Sequence, residues 1–213
     1  SRRARVLGAE RSVTVISNTF VLPPTIRSYW YACNMTFDSR TEIIYAVLQT
    51  IAEEGISGLS MRNVAAEAGV SLGRVQHHFR SKDELLVETC RALVAAAEHR
   101  YNEQAGTACE QLEYAIGHVI PRDDNARRGA AIWSAFVAYG LVEPTISAII
   151  TDAKRGQEAE VARLMAQAGF SDAGTRARAL IALADGLVQR VLTGDLSATQ
   201  AQIVVDSYIA SHH

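Results

Sequence analysis

The sequence predicts an all-α fold: an N-terminal three-helix domain containing a helix-turn-helix, then a larger C-terminal helical domain, with about nine helices together. Three observations point there. From Ser39 onward apolar residues recur at helical spacing, beginning with Ile43, Ile44, Val47, Leu48 and Ile51 on one face. Cap residues, glycines and prolines punctuate that pattern at intervals that suit helices. No alternating apolar–polar run follows residue 40, so strands have no support. A chain of 213 residues, 48% hydrophobic, has enough apolar material for one large domain or two small ones.

Residues 1–38 stand apart. They carry Pro23-Pro24, scattered aromatics and no sustained helical period. Val13, Val15 and Ile16 follow a basic start, but Ser17, Asn18 and Thr19 interrupt them and no A-x-A cleavage site follows. The expectation is a poorly ordered extension or upstream leader, with Met35 as a natural start. Its arginines offer phosphate contacts as an arm.

Two domains are expected after it, 39–86 and 87–213. The first helix starts at Ser39 and stops at Gly55. Ser60 caps Met61–Ala68, whose Val64, Ala65 and Ala68 face inward. Gly69-Val70-Ser71 makes a tight turn, and Ser71 caps Leu72–Phe79. Ser81 with Glu84 forms a capping box that opens a long helix to near Gln104, with an apolar stripe of Leu86, Cys90, Leu93, Val94 and Ala97. Further helices are expected near 107–120, 126–141, 144–168, 173–193 and 198–211, separated by Pro121, Pro144, Gly169 and Gly194.

Charge and motif content exclude several classes. The net charge is −2, so a wholly basic nucleic-acid coat is absent and an anionic partner must meet a local patch. One patch lies between Arg62 and Lys82, where Arg62, Arg74, Arg80 and Lys82 face only Glu67. Residues 1–34 hold Arg2, Arg3, Arg5, Arg11 and Arg27 against Glu10 alone. The charge-free stretch Gly129–Val142 falls short of the roughly 20 apolar residues that span a bilayer, and no membrane partner is expected. Cys33, Cys90 and Cys109 show no CxxC spacing, which excludes a zinc knuckle or disulfide scaffold and suits a reduced cytoplasmic setting. No GxGxxG, GxxxxGK[ST], HExxH or GxSxG is present, so no enzyme and no cofactor is expected. Asp123-Asp124 reads as a helix cap. His77-His78 are adjacent and point about 100° apart on a helix, so one face cannot use both and no metal is expected.

The informative segment is Leu59–Leu86. Two short helices around a tight turn fit a helix-turn-helix whose second helix enters a major groove about 12 Å wide. Val75 and Phe79 would face inward, at i and i+4. Ser71, Leu72, Arg74, Gln76, His77 and His78 would face out, and arginine and glutamine suit the edges of guanine and adenine. Lys82, at a helix start beside Ser81, suits a phosphate. With Ser60, Arg62 and Gly73 these residues make the candidate set for a double-stranded DNA operator. A constitutive DNA binder, an interaction module or a helical enzyme remain the other readings.

This segment, LSMRNVAAEAGVSLGRVQHHFRSKDELL, resembles the TetR family of bacterial transcriptional repressors. The matching residues are Val64, Ala65, Gly69, Val70, Ser71, Gly73, Phe79, Lys82 and Leu85. Gln76 departs from the family's usual tyrosine, which reaches a phosphate. Arg178–Asp195 resembles the BetI-type C-terminal half. The resemblance implies a homodimer joined through the helices 173–193 and 198–211, with Leu180, Ile181, Ala184, Leu187, Val188 and Val191 as the interface stripe. Ordinary intrachain core is the other reading of that stripe. A two-fold dimer spaces its reading helices about 34–36 Å apart, so the operator is expected to be pseudo-palindromic.

Residues 87–213 are also expected to hold a small-molecule effector. Tyr114, His118, Trp133, Phe136, Val137 and Tyr139 offer aromatic walls with polar tips, the makings of a ligand cavity or of a solid core. Asp185 interrupts the apolar stripe, either to bind a cationic effector or to join a buried hydrogen-bond network.

Overall fold

The computed structural model describes residues 38–102, 106–117 and 120–210. The expectations for residues 1–37 and for His118 lie outside the described residues. Within them the chain forms nine helices and no strand: α1 (Ser39–Gly58), α2 (Met61–Glu67), α3 (Leu72–His78), α4 (Lys82–Asn102), α5 (Ala108–Gly117), α6 (Asp124–Gly140), α7 (Pro144–Gln167), α8 (Ala173–Leu192) and α9 (Ala198–Ala210).

Most helices begin where a side chain supplies an acceptor for the free N–H groups of the first turn. Asp38 Oδ1 accepts from the Thr41 amide at 2.9 Å, Ser60 Oγ from Asn63 at 3.1 Å, and Asp123 Oδ1 from Ala126 at 2.7 Å. Reciprocal boxes open α5, through Thr107 and Glu110, and α9, through Ser197 and Gln200. At α4 the box is shifted: Ser81 Oγ accepts from the Glu84 amide, but the Glu84 carboxylate reaches back to Arg80 N–H rather than to its own cap residue. The chain does break at Gly55, whose φ of 71° lies in the left-handed region that glycine adopts without strain. Beyond that kink a last turn carries α1 on to Gly58.

The apolar residues gather into two clusters. One joins α1 to α4 with Ile132, Trp133 and Phe136 of α6 and Ile146 and Ala153 of α7. The other surrounds α8 with Leu112 and Ile116 of α5, Val161, Leu164 and Met165 of α7, and Ala201 and Val205 of α9. The packing boundary therefore does not follow the expected division at residue 86. It runs through α6 and α7, because the apolar face of α1 continues past the three-helix unit and needs α6 to cover it.

The stripe Leu180, Ile181, Ala184, Leu187, Val188 and Val191 needs correction as a dimer face. None of these residues exposes more than 5% of its surface in the single chain. They are the centre of the second cluster, and a face already consumed by α5, α7 and α9 has no area left for a partner.

Candidate nucleic-acid interface

Two buried anchors set the reading helix. Val75 and Phe79, both fully buried, seat α3 on the first cluster. Between α2 and α3 the chain turns at Gly69, which has φ of 66°, and Val70 N–H donates to Ala65 O at 3.0 Å across the turn. Ser71 Oγ then accepts from the Arg74 amide at 3.2 Å and starts α3. With Val75 and Phe79 inward, helical geometry leaves Gly73, Arg74, Gln76 and His77 exposed and Leu72 half-buried. Arg62 and the cap Ser71 are also exposed, while Ser60 is half-buried at the start of α2.

One member of the set sits differently from the sequence expectation, and another has a partner the sequence did not signal. His78 is half-buried, not outward: its Nε2 is sealed from solvent without a hydrogen-bond partner, and its ring lies between His77 and Phe79. Burial, then the neighbouring His77 ring and the Arg74 charge, hold its pKa below the ordinary 6.5. Lys82 is also half-buried, and its ammonium donates to Ile56 O at 3.3 Å. That carbonyl lies in the turn beyond the Gly55 kink, so the lysine ties the end of α1 to the start of α4.

The first turn of α1 completes this face, and sequence reasoning missed it. Arg74 Nε donates to Ser39 Oγ at 2.7 Å, across 35 residues of chain. Arg40 places its guanidinium 5.3 Å from the Phe79 ring centre and pairs with Glu88 of α4 at 2.5 Å. No local motif signals these contacts, because they depend on α1 crossing the end of α3.

The expected effector residues do not converge on one cavity. Trp133 and Phe136 are buried in the first cluster, on a helix that packs against α1, at 4% and 0% exposure. Tyr139 packs at its margin beside Asp83 of α4, and its hydroxyl is held above the usual tyrosine pKa by burial and then by the Asp83 charge. Val137 points away and is 38% exposed. Tyr114 is half-buried on α5. Asp185 is not an open cation site: both its oxygens accept from Lys154 Nζ, at 2.7 and 2.8 Å, with Gln157 Oε1 at 3.4 Å from the same ammonium. Burial lowers the Lys154 pKa and Asp185 opposes that shift. A separate groove of about 490 Å³ is lined by Ile116, Arg122, Gln202, Val205, Asp206, Ile209 and Ala210, none of them in the expected set. Among the described residues no three His, Cys, Asp or Glu side chains are grouped to hold a metal ion, and no helix is long and apolar enough to cross a membrane.

Comparison with known proteins gives this geometry a context. Residues 43–89 match the bacterial regulatory proteins of the tetR family, and residues 108–213 match the C-terminal half of BetI-type transcriptional repressors. The transcriptional regulator BetI of Burkholderia thailandensis is 33% identical over 186 residues, 80% of this chain and 91% of that one. A transcriptional regulator from Rhodococcus superposes with a TM-score of 0.76 at 28% identity, covering 82% of this chain and 96% of its own. A regulator from Saccharomonospora viridis, solved in complex with choline, superposes at 0.74 with 25% identity, covering 80% and 95%.

Proposed function

The chain belongs to the TetR family of bacterial transcriptional regulators, with a BetI-type C-terminal half, and we propose that it is a repressor that binds a pseudo-palindromic operator as a homodimer and leaves it when a small amphipathic effector binds. The observation that carries the DNA reading is the α3 register: Val75 and Phe79 buried, with Arg74, Gln76 and His77 open on the opposite side. Arg74, near the end of the helix that enters the groove first, reads a guanine edge, and Gln76 is placed for a base or backbone contact. Arg62 and Lys82 meet phosphates and set the register on the duplex.

The dimer face in this reading is the outer side of α8 and α9. There Ala179, Ala182 and Gly186 are exposed at near-helical spacing, beside Ile203 at 58% and Val204 at 40% exposure. Small residues let two helices approach closely, and the two exposed aliphatic residues supply apolar area.

The effector binds among α5 to α9, and the choline complex of the Saccharomonospora relative favours a small organic cation. Coupling to the DNA runs through α6. Arg127 on this helix donates to Val191 O and Leu192 O at the end of α8, at 2.9 and 3.1 Å. The next residue, Arg128, donates to Gln49 of α1 at 3.0 Å. A rotation of α6 relative to α8 therefore pulls on α1. The test is selection of an operator from random duplexes by the full chain, followed by titration of the complex with choline and other organic cations. Release by about 5- to 150-fold in operator affinity is expected for coupling of ordinary size. If no compound releases the DNA, the protein is a constitutive binder.

A further inference from the structure

We propose that Ser39 is a positioning residue for sequence readout: its hydroxyl orients Arg74 so that the two terminal guanidinium nitrogens meet a base edge together. The inference rests on the reading that Arg74 contacts a guanine. The guanidinium is planar and the Nε–H bond lies in that plane, so a hydrogen bond from Nε restricts how the whole fork can turn. Ser39 Oγ accepts from that Nε at 2.7 Å, and among the described residues no partner occupies the two terminal nitrogens. Those two donors are the pair that matches O6 and N7 of guanine.

The platform under Ser39 is itself held. Asp38 caps the helix on one side of it. On the other, Arg40 stacks on Phe79 at the end of α3 and pairs with Glu88 of α4. Ser39 thus keeps a constant position relative to the reading helix. A long, exposed arginine left to itself samples many rotamers, and each must be given up when the base is bound. A hydrogen bond that selects one of them beforehand raises discrimination without adding a contact to the DNA. The residue acts through Arg74 and does not itself read a base.

The experiment compares four full-length variants, Ser39→Ala, Ser39→Thr, Arg74→Ala and Ser39→Ala/Arg74→Ala. The DNA is the duplex that the wild type selects from a random library, with each half-site position changed to the other three bases. Ser39→Ala should lower discrimination by about 2- to 13-fold, the equivalent of one net hydrogen bond, at the one base pair where Arg74→Ala relaxes it. Binding to non-specific DNA and the melting temperature should stay at wild-type values. The double variant should lose no more than Arg74→Ala alone, and Ser39→Thr, which keeps the hydroxyl, should retain discrimination. If Arg74→Ala relaxes one base pair and Ser39→Ala relaxes none, the positioning role is overturned while the arginine reading stands. If Ser39→Ala weakens all duplexes alike, Ser39 is a phosphate contact and the inference is wrong. If Arg74→Ala leaves the preference intact, the underlying reading falls and takes the inference with it.

Discussion

Truncating Phe136 to alanine should destabilise the DNA-reading half from a helix that lies outside it. Phe136 sits on α6, 50 residues beyond Leu86, yet its fully buried ring packs in the cluster that holds α1, α3 and α4. Removing a buried phenylalanine ring costs about 3–5 kcal/mol when the surroundings relax only partly. For a chain of 150–250 residues each kcal/mol lowers Tm by about 2–4 °C, so the expected drop is about 6–20 °C. Thermal unfolding followed by circular dichroism at 222 nm, at one protein concentration for both variants, measures it. Hydrogen exchange adds the location: amide protection across Ile43–Ile51 of α1 should fall together with the global stability. A drop below about 3 °C, or α1 protection that stays at wild-type level, would refute the reasoning. It would mean that the ring lines a void, as the aromatic pattern alone allows, and that α6 is not the seam between the two halves.

Lys82→Met should weaken binding to every DNA sequence alike and reduce the salt dependence by about one unit of slope, read from anisotropy titrations at several salt concentrations; a loss confined to specific sites would contradict a phosphate contact. Asp185→Asn should cost about 1–3 kcal/mol by leaving the Lys154 ammonium without its charged partner. Burial already holds Lys154 below its ordinary 10.5, so the unfolded chain binds that proton more tightly and stability rises with pH as the window below 10.5 is crossed. The asparagine removes the opposing charge, lowers the pKa further and widens the window downward. The variant's deficit in urea unfolding should therefore be larger at pH 7 than at pH 10, and an equal deficit at both would reject the account. Ala182→Arg or Ile203→Glu should yield a monomer by sedimentation that retains its helical spectrum, whereas an unchanged dimer would move the interface elsewhere.

The helices were legible because their causes are local. Ser60, Ser71, Ser81 and Asp123 each accept an amide hydrogen within three residues of themselves, and such contacts need nothing from the rest of the chain. The same holds for the turn at Gly69, whose left-handed φ is a property of one residue. The inward set of the helix-turn-helix, Val64, Ala65, Val75 and Phe79, follows from helical period alone. The break at Gly55 was also readable, although the turn that follows it was not.

Which apolar face meets which was beyond reach of the pattern. A stripe such as Leu180 to Val191 states only that a helix buries one side; it carries no record of whether the cover is another helix or another subunit. The structure decides for α5, α7 and α9 and leaves the alanine and glycine side outward. Trp133 and Phe136 had the composition of a pocket wall and became the core between α1 and α6. His78 belongs to the outward side by period, but packing seals its Nε2 from solvent. Asp185 met Lys154 at a separation of 31 residues, and Arg74 met Ser39 at 35. The sequence by itself therefore determined where most helices start, which side they bury and which short segment carries the DNA-reading motif, because those depend on hydrogen bonds and periodicity within a few residues. Only the tertiary structure decided the partners of each face and of each long polar side chain, because those are set by how packed helices cross, and residues that meet there are unrelated in sequence.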